Sequence, residues 1–161
     1  MKLLNQLALA GALTLGAVLA QVLEADAHEI KLGALVIHHP WLRPAPGAGG
    51  MAAAYTTIDN TGKEDDTLIS ITVEGSTTTQ IHEMKMEGDV MKMNELPDGL
   101  VLPAAKSTEL KPKSFHVMLM GIATPFMEGE EVKGTMTFAK AGKVDVDFEV
   151  VAPGADKPMK H

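Results

Sequence analysis

From Gly33 to Val151, apolar and polar residues alternate in short runs broken by Gly, Pro, Asn and Asp. Alternation at period two puts successive side chains on opposite faces of a strand. Turn signals at roughly 8–12-residue spacing are those of an all-β sandwich or barrel. The predicted strands are 34–38, 51–59, 67–74, 78–87, 90–94, 114–120, 131–139 and 143–151. The last two give the clearest pattern. Val132, Met136 and Phe138 alternate with polar residues, and Val144, Val146, Phe148 and Val150 alternate with Asp145, Asp147 and Glu149. They predict a hairpin about Ala141-Gly142 with one wet face. Residues 47–50 and 97–103 read as loops, and Lys111-Pro-Lys-Ser as a turn. No amphipathic helix of useful length and no internal repeat is evident. The expected architecture is an all-β, antiparallel Greek-key β-sandwich over 28–151, followed by a flexible tail over 152–161.

The first 27 residues change the picture of where the chain works. Lys2, the apolar run Leu7 to Ala20 and the small-x-small Ala25-Asp-Ala27 read as a secretory signal peptide. A cut after Ala20 is the alternative, and an uncleaved anchor is the duller one. The apolar run is shorter than the ~20 residues a bilayer span needs. Export invites disulfides, yet the chain has no cysteine to form one or to carry a lipid. Its formal net charge is −7. Removing the signal, with Lys2, Glu24 and Asp26, leaves an acidic protein, which argues against nucleic-acid binding.

Candidate chemistry lies in two strings, His82-Glu-Met84-Lys-Met86 and His116-Val-Met118-Leu-Met120. On strands, each puts imidazole and thioether on one face. Val117 and Leu119, with Phe115, are left to fill the core. If Gly88-Asp89 is a two-residue hairpin loop, Met86 faces Met91, Met84 faces Met93, and His82 lies diagonally from Met93. A three-residue loop would send Met91 and Met93 to the opposite face. Methionine on a strand is more often flexible packing than a ligand, and that reading holds for Met86, Met91 or Met120 taken singly. Two histidines on separate strands, each two residues from a methionine, weigh against it. A cysteine-free nitrogen and thioether donor set suits Cu(I) best among common metals.

The run from His82 through Met93, and then Leu-Lys-Pro before Phe-His116-Val-Met118-Leu-Met120-Gly, resembles the PCuAC family of periplasmic copper chaperones. That family's signature is a His, a Met after ten intervening residues, and His-x-Met about twenty-one residues later. His82 to Met93 matches, while Met93 to His116 has twenty-two residues between, one more than usual. The similarity runs over roughly Gly33 to Val150 and includes His39-Pro-Trp41. It implies a cupredoxin-like β-sandwich holding one Cu(I) at an exposed site, with His82, Met93, His116 and Met118 as ligands. Met84 and Met120 are spare thioethers, either intermediate ligands or packing. The resemblance further implies a periplasmic, non-enzymatic protein that hands copper to the CuA site of cytochrome c oxidase subunit II, directly or with a Sco-type thiol partner.

Weaker signals stand beside this reading. Cleavage after Ala27 would free the amine and imidazole of His28 to chelate Cu(II), with His161 beside Met159 as further donors. Coincidental terminal histidines are the simpler explanation. His38 and His39 are adjacent and so point to opposite faces, which favours a structural role for His39-Pro-Trp41. The acidic clusters Asp65-Asp66 and 128–131 lack the ligand count of a calcium loop. No nucleophile elbow, phosphate loop or zinc-protease motif is present, and a blue-copper site would need a cysteine. The rival functions are a copper scavenging or storage protein with the same ligands and an exported immunoglobulin-like interaction module whose methionines only pack.

Overall fold

The computed structural model describes residues 29–45 and 49–156; the expected signal peptide, His28, Met159 and His161 lie outside them. Eleven strands form one hydrogen-bonded sheet folded over on itself. They are β1 (Glu29–Leu32), β2 (Leu35–Pro44), β3 (Met51–Asn60), β4 (Asp66–Val73), β5 (Thr78–Glu87), β6 (Val90–Glu95), β7 (Leu100–Leu102), β8 (Lys106–Leu110), β9 (His116–Met120), β10 (Glu131–Phe138) and β11 (Gly142–Val150). The described residues contain no helix. The strand order is β6-β5-β9-β3-β2-β11-β10-β4-β7, with β1 beside β2 and β8 beside β3. Consecutive strands β4 and β5 sit far apart on this path and β9 is inserted between β5 and β3, so the all-β Greek-key expectation holds.

One pairing departs from the antiparallel expectation. β11 meets β2 in parallel, through Glu149–Trp41 and Val150–Leu42. This contact lies wholly beyond a register shift between His38 and Trp41 on the β2–β3 ladder, where His39 adopts φ 43°. The extra residue kinks β2 ahead of the segment that meets β11. The His39-Pro40-Trp41 segment is structural in this sense: it makes the corner, and Trp41 stacks on Tyr55 with ring centroids 4.4 Å apart.

Alternation decides what is buried. Ile37, Leu42, Ile58, Leu68, Leu119 and Phe148, from strands all along the folded sheet, are fully buried in one core. Each such side chain contributes about 1.5–3 kcal/mol by leaving water. β10 and β11 form the expected hairpin, with Met136 opposite Val144 and Val132 opposite Phe148. Asp66 accepts backbone hydrogen bonds from Thr67, Lys140 and Ala141, tying the start of β4 to that hairpin's turn. Burial alone would raise its pKa, but these donors and the nearby Lys140 charge hold it below the ordinary carboxylate value.

One predicted loop and two unassigned stretches hold strands. β7 occupies part of 97–103 by pairing with the edge of β4, β8 runs beside β3, and β1 forms a hairpin with β2. β8 and β9 lie one after the other along the same side of β3, separated by the turn at Lys111, where Ser114 N donates to Lys111 O. Beyond β11, Ala155 packs on Trp41 and Tyr55 and its carbonyl accepts from Arg43.

Candidate metal centre

β5, β6 and β9 lie side by side, and their registers assemble the site. Along β9, Val117 and Leu119 are fully buried, which turns His116, Met118 and Met120 to the other face. Along β5, Ile81 enters the core, which turns Gln80, His82, Met84 and Met86 to that same face. His82 stands opposite His116, Gln80 opposite Met118 and Thr78 opposite Met120. Across the hairpin, Met84 pairs with Met93, Met86 with Met91, and Glu95 with His82. The loop is therefore the two-residue Gly88-Asp89. Gly88 has φ 64°, while Asp89 is not among the residues with positive φ. That is the φ pattern of a type II′ turn with Gly at the first central position.

Three side chains touch or nearly touch. His82 Nδ1 lies 3.1 Å from Met93 Sδ, and the His82 and His116 rings meet edge to face with centroids 5.5 Å apart. His82 Nε2 is 3.1 Å from Gln80 Oε1. Because that amide oxygen can only accept, Nε2 carries the proton and the Nδ1 lone pair faces the sulfur. His116 Nδ1 donates to Ser114 O at 3.1 Å, leaving the Nε2 lone pair free. The same carbonyl accepts Met84 N at 3.2 Å, so one peptide oxygen fixes both the His116 ring and the β5–β9 register. His116 is only 4% exposed. Its burial pushes the imidazole pKa below the ordinary value, the Ser114 bond opposes this, and repulsion from the neighbouring His82 imidazolium adds to it whenever that ring takes a second proton. A neutral imidazole is the form that binds metal.

The structure thus joins His82, Met93 and His116, with Met118 two residues along the same face of β9. Met84 stands opposite Met93, and Met120 stands at the far end of the face. The donors span a range of exposure: His116 is buried, His82 and Met118 are half-buried, and Met93 is 46% exposed. Met86 and Met91 are exposed, so neither fills the core. Gln80, Ser114 and Glu95 are additions that sequence reasoning missed. So is Met51, which pairs with Met120 across β3 and β9. Gln80 carries a period-two signal, two residues before His82; the Ser114 carbonyl and the Met51 pairing have none. His38 bonds Asp59 at 2.9 Å and takes no part in the site. Among the described residues no cluster of three or more His, Cys, Asp or Glu could hold a metal. The assembled donor set is imidazole and thioether, which fits a soft cation and not a hard one.

Comparison with known proteins agrees with this fold. The LpqE-like family model matches residues 35–150. A protein of Leifsonia xyli subsp. xyli, Lxx21020, named as a lipoprotein, is 29% identical over 99 residues, covering 62% of this chain. The match spans 58% of that relative's own length. Among solved structures, the copper-bound PCuAC domain from PmoF2 superposes with a TM-score of 0.66 at 28% identity, over 78% of this chain and 99% of that one. The apo PCuAC domain from PmoF1 gives 0.66 at 28% identity, over 78% and 100%. CuI-DR1885 from Deinococcus radiodurans gives 0.62 at 23% identity, over 82% and 85%, and speaks for the fold alone. The sandwich is cupredoxin-like.

Proposed function

The chain belongs to the LpqE-like, PCuAC-related family, and we propose that it is an exported, periplasmic Cu(I) chaperone. His82, Met93, His116 and Met118 hold the ion, and the acceptor is the CuA site of cytochrome c oxidase subunit II, reached directly or through a Sco-type thiol protein. The contact of His82 with both Met93 and His116, made by three separate strands, carries this reading.

The geometry suggests how the cargo is held and given up. Two neutral imidazoles and two thioethers carry no charge to match the ion's, and Glu95, opposite His82, is the nearby carboxylate in register. Binding is then strong enough to hold Cu(I) and weak against a thiolate, which is both softer and charged. The exposed Met93 is the ligand an incoming thiolate displaces first, and the buried His116 is the last to let go. That gradient favours transfer over storage, which calls for a closed shell of ligands.

Anaerobic Cu(I) titration of the mature chain against a chromophoric chelator, with X-ray absorption on the product, tests the site. One tight equivalent with mixed nitrogen and sulfur ligation is expected, weakened more than about tenfold by Met93→Leu or Met118→Leu. Both variants keep the apolar volume, so lost binding reads as lost ligation. No binding above background in the wild type sinks the reading and promotes the interaction module. Copper that stays on the chain when the oxidase CuA domain is added removes the delivery step alone.

A further inference from the structure

Beyond His82 and its strand neighbours, the β5–β6 hairpin leaves the core. Every residue of β6 is exposed, as are Lys85, Met86 and Glu87 of β5. Its two faces differ completely. One presents Glu83, Lys85, Glu87 and Lys92, with Lys85 paired to Glu83 at 2.8 Å and Lys92 paired to Glu87. The other presents Met84, Met86, Met91 and Met93 and no charged group before Glu95. Met86 is 58% exposed and Met91 40%. Met86, Met91 and Met93 are exposed and β6 is the last strand of the sheet, so core packing does not account for them.

The register sets their side chains beside one another. Leu96 N donates to Ile81 O, so the backbone of Ile81 faces β6, and that of each second residue onward does too. Met84 N points the other way, to Ser114 O on the β9 side. Met84–Met93 and Met86–Met91 are therefore non-hydrogen-bonded pairs, the class in which opposed Cα atoms approach to about 4.5 Å and side chains are closest. Two such pairs, one repeat apart on one face, offer three to four thioethers to a single ion. Thioethers are soft and uncharged, so the cation they take is soft and monovalent and not a hard divalent one.

We propose that Met84, Met86 and Met91 form a second, all-thioether site for Cu(I) or Ag(I). Met93, directly opposite Met84 and touching His82, is the step between it and the His82–His116 centre. The site would capture metal at the solvent end of the hairpin and feed it inward. It rests on the Cu(I) reading only through Met93, since the three other sulfurs stand independently of the histidines.

The test is Ag(I) titration of the mature chain carrying methyl-labelled methionine, followed by calorimetry and NMR, on wild type, Met86→Leu/Met91→Leu and Met118→Leu. Ag(I) is the probe because it shares the preferences of Cu(I) without redox chemistry. Two equivalents are expected in the wild type. The first moves the Met93 and Met118 methyl signals, and the second, weaker one moves Met84, Met86 and Met91. The Met86/Met91 double variant should keep the first equivalent unchanged and lose the second by at least about tenfold. A single equivalent in the wild type, or a second that survives in the double variant, overturns the proposal. So do Met86 and Met91 signals that respond to protein concentration and not to Ag(I), which would mark self-association through the edge strand. If instead Met118→Leu leaves all binding unchanged while Met86 and Met91 still respond, the His82 centre fails and the thioether site stands.

Discussion

Gln80 is not one of the proposed donors, yet through its bond to the His82 ring it determines which nitrogen of that ring is free. Its Oε1 lies 3.1 Å from Nε2 and accepts the proton there, so the Nδ1 lone pair faces Met93. Groups that orient a ligating histidine in this way are worth about 10–100-fold in metal affinity when removed. Gln80→Leu is therefore expected to weaken Cu(I) binding within that range. Gln80→Glu, which still accepts the proton, should restore it. The 15N shifts of His82 check the cause: one tautomer in the wild type and a mixture in Gln80→Leu. A single unchanged tautomer in Gln80→Leu would leave Gln80 a bystander. The contrast between His82 and Gln80 shows what sequence reveals at this scale. His82 and His116, each two residues from a methionine, stand out at period two, while only the family resemblance singles out Met93 and Met118 among the thioethers. Gln80 obeys the same period with an amide that fits any half-exposed strand, and the Ser114 carbonyl that aims His116 has no side-chain identity at all.

At the scale of elements, the hairpin turn governs the site more tightly than any ligand. Gly88-Asp89 sets the pairing of Met84 with Met93, and side chains alternate with a period of two. One glycine inserted between Gly88 and Asp89 should rotate Met91 and Met93 to the charged face. Cu(I) affinity is expected to fall as far as in Met93→Leu, with far-ultraviolet circular dichroism and urea midpoint near wild type, since β6 buries nothing. Retained affinity would mean the strand slips to recover its register. This turn was half legible: Gly88-Asp89 marks a hairpin, but its two-residue length, open in the sequence, is decided by the register. β7 and β8 were not legible. Leu100-Val-Leu102 is too short to establish a period. In β8 only Thr108 and Leu110 turn inward, and the strand exists because the flank of β3 needs partners, a requirement set by the tertiary fold. Gly121, at the end of β9, shows the same dependence. It has φ 70°, and a Cβ there would come within 2.6 Å of the Thr77 hydroxyl, a contact invisible along the chain.

Across the whole molecule, the fold sorts the nine methionines among the described residues, identical in chemistry, into different environments. Met136 is sealed in the core at 0% exposure, while Met86, Met91 and Met93 stand between 40% and 58% exposed on the outermost hairpin. The all-β class and its wet and dry strand faces could be read from alternation. The parallel closure of β11 on β2 could not, because only the bulge at His39 brings those ends together. The sorting has a chemical consequence in an oxidising compartment. Solvent that lets a metal-bearing partner reach sulfur also lets peroxide reach it, and a sulfoxide presents a hard oxygen in place of a soft donor. Mild peroxide followed by peptide mass mapping is expected to oxidise Met86, Met91 and Met93 well before Met136, with Cu(I) or Ag(I) loading shielding Met93. Uniform oxidation of all four would contradict the sorting. A chain without thiols escapes disulfide traps, but it has moved its redox vulnerability to the same sulfurs that would receive its cargo.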